Sequence, residues 1–158
     1  MFREISRIKQ KLSADECIFI LENEKRGVLA VNGDDGYPYA LPMNHFYNPD
    51  DGKIYFHSAA HGHKIDALLR DGKVSYCVYD GGYRNEGEWY LNIKSVIVFG
   101  HVEIIEDREK IYEISRKLSY KFTSDSGYIE REIEKSGPKT FMFAIVPEHI
   151  SGKTVKEK

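Results

Sequence analysis

Cysteine is scarce in this chain. Cys17 and Cys77 are the only two, they lie far apart, and neither has a CxxC partner. That excludes a zinc or dithiol redox motif built on sulfur, and both read as small buried hydrophobes. Charge of one sign is also lacking. The net charge is -2, with acidic and basic residues interspersed, so no basic face points to nucleic acid. No apolar run approaches the roughly eighteen residues of a membrane-spanning helix, and no apolar signal segment stands at the start. Neither nucleic acid nor a membrane is therefore expected as a partner, and a cytoplasmic location is the default expectation. Internal repeats, low-complexity tracts, a Ser-His-Asp order and a catalytic carboxylate pair are absent as well.

What remains is the composition of an ordinary single soluble domain of 158 residues, spanning positions 1–158, with 41% hydrophobic residues. Aromatics reach 13%, and eleven of them are Tyr, a residue suited to strands and to the walls of a planar pocket. Ser13-Ala14-Asp15-Glu16 has the spacing of a capping box, and Cys17, Ile18, Ile20 and Leu21 continue at helical spacing to about Glu24. Gly27 to Val31 reads as a buried strand. The Gly33–Gly36 turn leads into a second strand from Tyr37 to Tyr47, where Pro38 and Pro42 imply an edge, a bulge or a ligand-facing stretch. Lys53 to His57 forms a third strand. Ile65, Leu68 and Leu69 predict a short helix, and Val74 to Tyr79 another strand. Gly81 to Gly87 reads as a mobile surface loop. The apolar run from Trp89 to Ile105 is one bent strand or two, Asp107 to Tyr120 is an amphipathic helix, and Phe141 to Val146 is a last strand before a polar tail. Strands joined by short Gly/Asp turns pair antiparallel, and a mainly β (α+β) barrel with peripheral helices closes their edges.

The segment richest in chemistry is Tyr55-Phe56-His57-Ser58-Ala59-Ala60-His61-Gly62-His63-Lys64. A strand runs into a loop of small residues, and a helix begins just beyond. The free N–H groups and positive dipole of such a helix start attract an anion. Gly62 permits close approach, Ser58 can donate, His63 adds a donor and Lys64 supplies charge. This makes a phosphate cradle without P-loop spacing; the alternative is a plain solvated connection. His61 and His63 also spell a bare His-x-His pair, a weak zinc motif without further ligands. Gly100 inside a strand calls for a bulge or the close approach of another backbone. Pro42-Met43-Asn44-His45 interrupts the apolar alternation as a planar ligand lying on backbone would require, or as an irregular edge strand would.

At these same residues the chain resembles the pyridoxamine 5'-phosphate oxidase-like FMN-binding split-barrel superfamily, in its 5-nitroimidazole antibiotic-resistance branch. The resemblance is carried by an ordered set: Phe2-Arg3, Lys9-Gln10, Gly27 to Val31, Tyr37 to Ala40, Ile54 to Ala59, Gly62 to Ala67, Ser95 to Gly100 and Glu148 to Lys153. It implies an antiparallel split β-barrel and a homodimer with FMN at the subunit interface. It further implies that Ser58, Ala59, Gly62, His63 and Lys64 hold the phosphate and ribityl chain. Pro42, Met43, Asn44 and His45 would run beside the ring, and Ser95 and Val96 would touch it from the partner subunit. His57 matches a histidine near the flavin, in a substrate-side catalytic role. The implied activity is an FMN-dependent oxidoreductase moving electrons from NAD(P)H to a small acceptor such as a nitroimidazole. Some relatives carry Arg in place of His63 and an aromatic in place of Ile150. No counterpart of the substrate-binding residues of true pyridoxamine-phosphate oxidases is present. The alternative implied by related barrels is a non-catalytic flavin or haem carrier, with His57, His61 or His101 as axial ligand.

Overall fold

The computed structural model describes residues 1–158. The capping box forms as expected: the Glu16 amide donates to Ser13 Oγ at 3.2 Å, and the Ser13 amide to Glu16 Oε2 at 2.9 Å. It starts α1 (Ala14–Asn23), which buries Cys17, Ile20 and Leu21. Cys17 is buried and Cys77 partly so, both as free thiols. The strands are β1 (Arg26–Asn32), β2 (Pro38–Asn44), β3 (Phe46–Asn48), β4 (Lys53–Ser58), β5 (Lys73–Tyr79), β6 (Asn92–Ile105) and β7 (Phe141–Lys156). Helix α2 (His63–Arg70) follows β4, and α3 (Arg108–Tyr120) and α4 (Ser126–Ser136) separate β6 from β7. No helix is long and apolar enough to cross a membrane.

All pairings are antiparallel, in the order β2-β1-β5-β6-β7-β4-β3. The two outermost strands, β2 and β3, are consecutive in sequence and separated only by His45. The expected single strand from Tyr37 to Tyr47 is thus broken. Its first half pairs with β1 and its second with β4, so covalent continuity curls the sheet into a split barrel. Pro38 and Pro42 sit on β2 opposite Asn32 and Val28, where an edge tolerates a missing donor.

Burial on β1 and β5 alternates, as one inward face requires. Leu29, Phe56, Tyr76, Val96, Val98, Phe143 and Ile145 fill the interior. Strand β4 and the first part of β7, Met142 to Ile145, are buried on both faces, because α3 covers their outer side through Ile111 and Ile114 against Tyr55, Met142 and Ala144.

The run read as one strand or two is one, with a register shift between Phe99 and Gly100. Gly100 meets both expectations: it lies at the bulge, and a Cβ there would collide with the Val146 carbonyl. The polar tail is a correction. β7 continues to Lys156 and pairs with β6 along its whole length, because the extension needs only alternate apolar residues on one face. The segment from Gly81 to Gly87 is held by a Tyr83–Asn92 bridge and by Glu88, which accepts from Asn85, Tyr90 and Asn92. Phe2 stacks on His149 at 4.9 Å between centroids, laying the N-terminal segment on the outer face of β6 and β7.

Candidate functional site

Strand β2, the end of β4 and the start of α2 converge on a cleft of ≈ 400 Å³ lined by Arg26, Pro42, Met43, Asn44, His57 and Lys64. Five of these were singled out in the sequence. Arg26, the first residue of β1 and the partner of Asn44 in the ladder, was not. A lone arginine at a strand start carries no pattern; only the β1–β2 register places it there.

Gly62 caps α2 with φ 116° and no side-chain hydrogen bond to the helix. A Cβ at Gly62 would meet no atom within 4 Å, so space stands open before the first turn. The N–H groups of that turn have no side-chain acceptor, as an anion cradle requires. Lys64 stands in this turn. Its ammonium reaches only the Met43 thioether, a weak acceptor, at 3.7 Å. Burial lowers its pKa, and no carboxylate compensates. A partly desolvated cation without an anionic partner is costly unless something supplies the anion. Ser58 Oγ donates at 2.8 Å to the Ala59 carbonyl, within the loop. Ala59 and His61 are exposed there.

His57 opens onto the cleft. Burial against the wall, and then the Lys64 charge, lower its pKa, so the ring is neutral near pH 7 and offers one donor and one acceptor. The His63 ring points elsewhere: it stacks on Tyr39 at 4.2 Å, with Nε2 3.6 Å from Asp34. At the helix start it offers its backbone N–H.

His45 departs from the expectation that it runs beside a ring. Its side chain is completely buried, with Nε2 2.7 Å from the Leu21 carbonyl and Nδ1 2.7 Å from the Tyr76 hydroxyl. The break between β2 and β3 turns it into the core, and its backbone is engaged there as well: the amide donates to the Lys25 carbonyl and the carbonyl accepts from Lys121. Ser95 and Val96 also lie apart. Val96 is interior, and Ser95 borders a separate hollow with Ile97, Ser151 and Lys153. No cluster of three or more His, Cys, Asp or Glu side chains assembles near His61 and His63. His101 stands 3.4 Å from Glu148, on the far strands.

A family model described as pyridoxamine 5'-phosphate oxidase matches residues 13–154, from the cap of α1 almost to the end of β7. The chain belongs to the pyridoxamine 5'-phosphate oxidase family. Among solved structures of this fold, a conserved hypothetical protein from Mycobacterium tuberculosis superposes with a TM-score of 0.80 at 22% identity, over 95% of this chain and 90% of the other. A proposed 5-nitroimidazole antibiotic resistance protein from Bacteroides thetaiotaomicron gives 0.77 at 21% identity, over 92% and 87%. An FAD-binding protein from Mesorhizobium loti gives 0.65 at 26% identity, over 92% and 97%. No curated protein sequence matches the chain. Solved members of the fold thus include flavin binders, and the split barrel is the shared frame. Within this family member, the open helix start and Lys64 are the features that suit a phosphate.

Proposed function

We propose that the chain is a cytoplasmic FMN-dependent reductase that works as a homodimer and passes electrons from NAD(P)H to a small acceptor, of which a nitroimidazole or another nitroaromatic is an example. One observation carries this reading: the half-buried Lys64 ammonium at the open start of α2, with only a thioether for company. The donor set fits a phosphate monoester. Lys64 supplies charge, the first-turn amides of α2 supply aligned donors, and Ser58 can turn its hydroxyl outward. Pro42, Met43 and Asn44 on the edge strand offer a flat wall for a planar ring. When bound, FMN supplies the electron transfer itself.

The protein's own residues bind and orient. His57, neutral at pH 7, positions the acceptor through a hydrogen bond and can pass a proton only at some energetic disadvantage, since its pKa is low. The cleft is open on one side, and a second copy is proposed to complete it. Because Ser95 lies apart from the cleft within one chain, any contact it makes with the ring comes from the partner, whereas Val96 is interior and serves the core.

The test is an absorbance spectrum of purified protein before and after FMN, followed by anaerobic NADPH and then a 5-nitroimidazole. Uptake of flavin, bleaching by NADPH and return of colour with the acceptor support the proposal. Failure to take up flavin overturns it.

A further inference from the structure

The cleft does not end at Arg26. A second hollow of ≈ 480 Å³ adjoins it, bounded by Asn23, Glu24, Lys25, Arg26, Pro42 and Tyr79 among others. Arg26 and Pro42 line both, so the two hollows meet at these residues along the start of β1. Arg26 is the only arginine on a strand. Arg70, Arg108 and Arg116 are each tied to a carboxylate or to carbonyls. The Arg26 guanidinium makes no such contact and stays free at the junction. Lys25 beside it lies 5.5 Å over the Phe122 ring. The carboxylate of this wall, Glu24, is raised in pKa by burial and by the nearby Asp80 charge, with Lys121 opposing, and the Lys121 ammonium donates to the Glu24 carbonyl. Lys25, Arg26 and Lys121 thus bring three cations to set against these two carboxylates. Tyr79 contributes an aromatic side chain that is 59% exposed. A free guanidinium fork suits a phosphate, and an open aromatic face suits a planar base.

We infer that this second hollow receives the phosphate-bearing part of a nicotinamide co-substrate, with Arg26 recognising a phosphate and Tyr79 offering a stacking face. The inference rests on the FMN reading, which assigns the cofactor phosphate to Lys64 and leaves Arg26 unused.

Flavin content of the wild type and of Arg26→Ala is measured first by absorbance. The flavin-loaded proteins are then titrated with NADP+ by calorimetry. The expected result, with both proteins brought to the same flavin occupancy, is about tenfold or more weaker NADP+ binding in Arg26→Ala, from loss of a charge-assisted contact. Arg26→Lys, which keeps the charge but loses the fork, should fall between the two. Equal NADP+ binding in wild type and Arg26→Ala, or no NADP+ binding by flavin-loaded wild type, overturns the inference. Loss of flavin from Arg26→Ala also overturns it, by assigning Arg26 to the cofactor. A wild type that takes up no FMN overturns the functional reading, and the inference with it.

Discussion

His45 makes acid lability a quantitative prediction. In the neutral ring, Nε2 donates to the Leu21 carbonyl and Nδ1 accepts from the Tyr76 hydroxyl. A second proton must therefore enter at Nδ1, which forces Tyr76 to commit its hydrogen to the Met43 carbonyl, 3.0 Å away. Burial, reinforced by the charge of Lys121, lowers the His45 pKa to about 4. The unfolded chain, with an ordinary histidine near 6.5, takes the proton first as pH falls. The contribution is therefore complete above about pH 6.5 and drains away as pH drops towards 4. Linkage between these two values gives a loss of roughly 2 kcal/mol between about pH 7 and about pH 4.5. Depressed carboxylates such as Asp71, held by the Lys73 amide, and Glu130, held by Arg116, add their losses mainly below that window. His57, also depressed, acts in the same direction, so His57→Gln serves as the background. Urea unfolding followed by circular dichroism across this range should show His57→Gln still losing about 2 kcal/mol. Adding His45→Gln should lower overall stability yet flatten the slope. An unchanged slope would refute the assignment of this acid sensitivity to His45.

Three further outcomes follow from the packing. Tyr76→Phe strips partners from His45 Nδ1 and the Met43 carbonyl in the core and should cost about 1–3 kcal/mol in urea unfolding; a neutral result would mean water replaces the hydroxyl. Gly100→Ala drives a Cβ into the Val146 carbonyl at the β6–β7 bulge and should cost about 1–3 kcal/mol, read as a drop in Tm; an unchanged Tm would show that the two strands slide apart freely. Arg116 meets Glu130 in a two-pronged pair at 2.7 and 3.1 Å, but both side chains are largely exposed, so Arg116→Ala should change stability by less than about 1 kcal/mol. A larger loss there would point to a role of that pair in docking α4 on α3.

Local signals in the sequence located most of the frame. The Ser13–Glu16 box started α1, Gly100 marked the bulge, and the prolines marked the edge strand. Two features escaped for physical reasons. The second half of β7, from Pro147 to Lys156, looks like a polar tail because only one of its faces meets the barrel, the other carries His149, Ser151 and Lys153, Glu148 stands unpaired at the bulge and Lys156 ends the strand. The break at His45 hides inside an otherwise continuous β-prone run, since a strand that changes partners keeps its local conformation while its side chains change sides. The site divides along the same line. Lys64, Gly62 and His57 were legible as a strand–loop–helix segment, and Pro42 to Asn44 as an interruption of alternation. Arg26 and the inward turn of His45 are set by the β1–β2 register and the break, which no window along the chain contains.

The most direct test of the account is a fluorescence titration of FMN against wild type and the Ser58→Ala, Lys64→Ala double variant, with circular dichroism to show that both are folded. The account predicts stoichiometric quenching by wild type and affinity weakened by about tenfold or more in the variant, as expected for lost charge-assisted phosphate contacts. A folded double variant that binds FMN as tightly as wild type would contradict it.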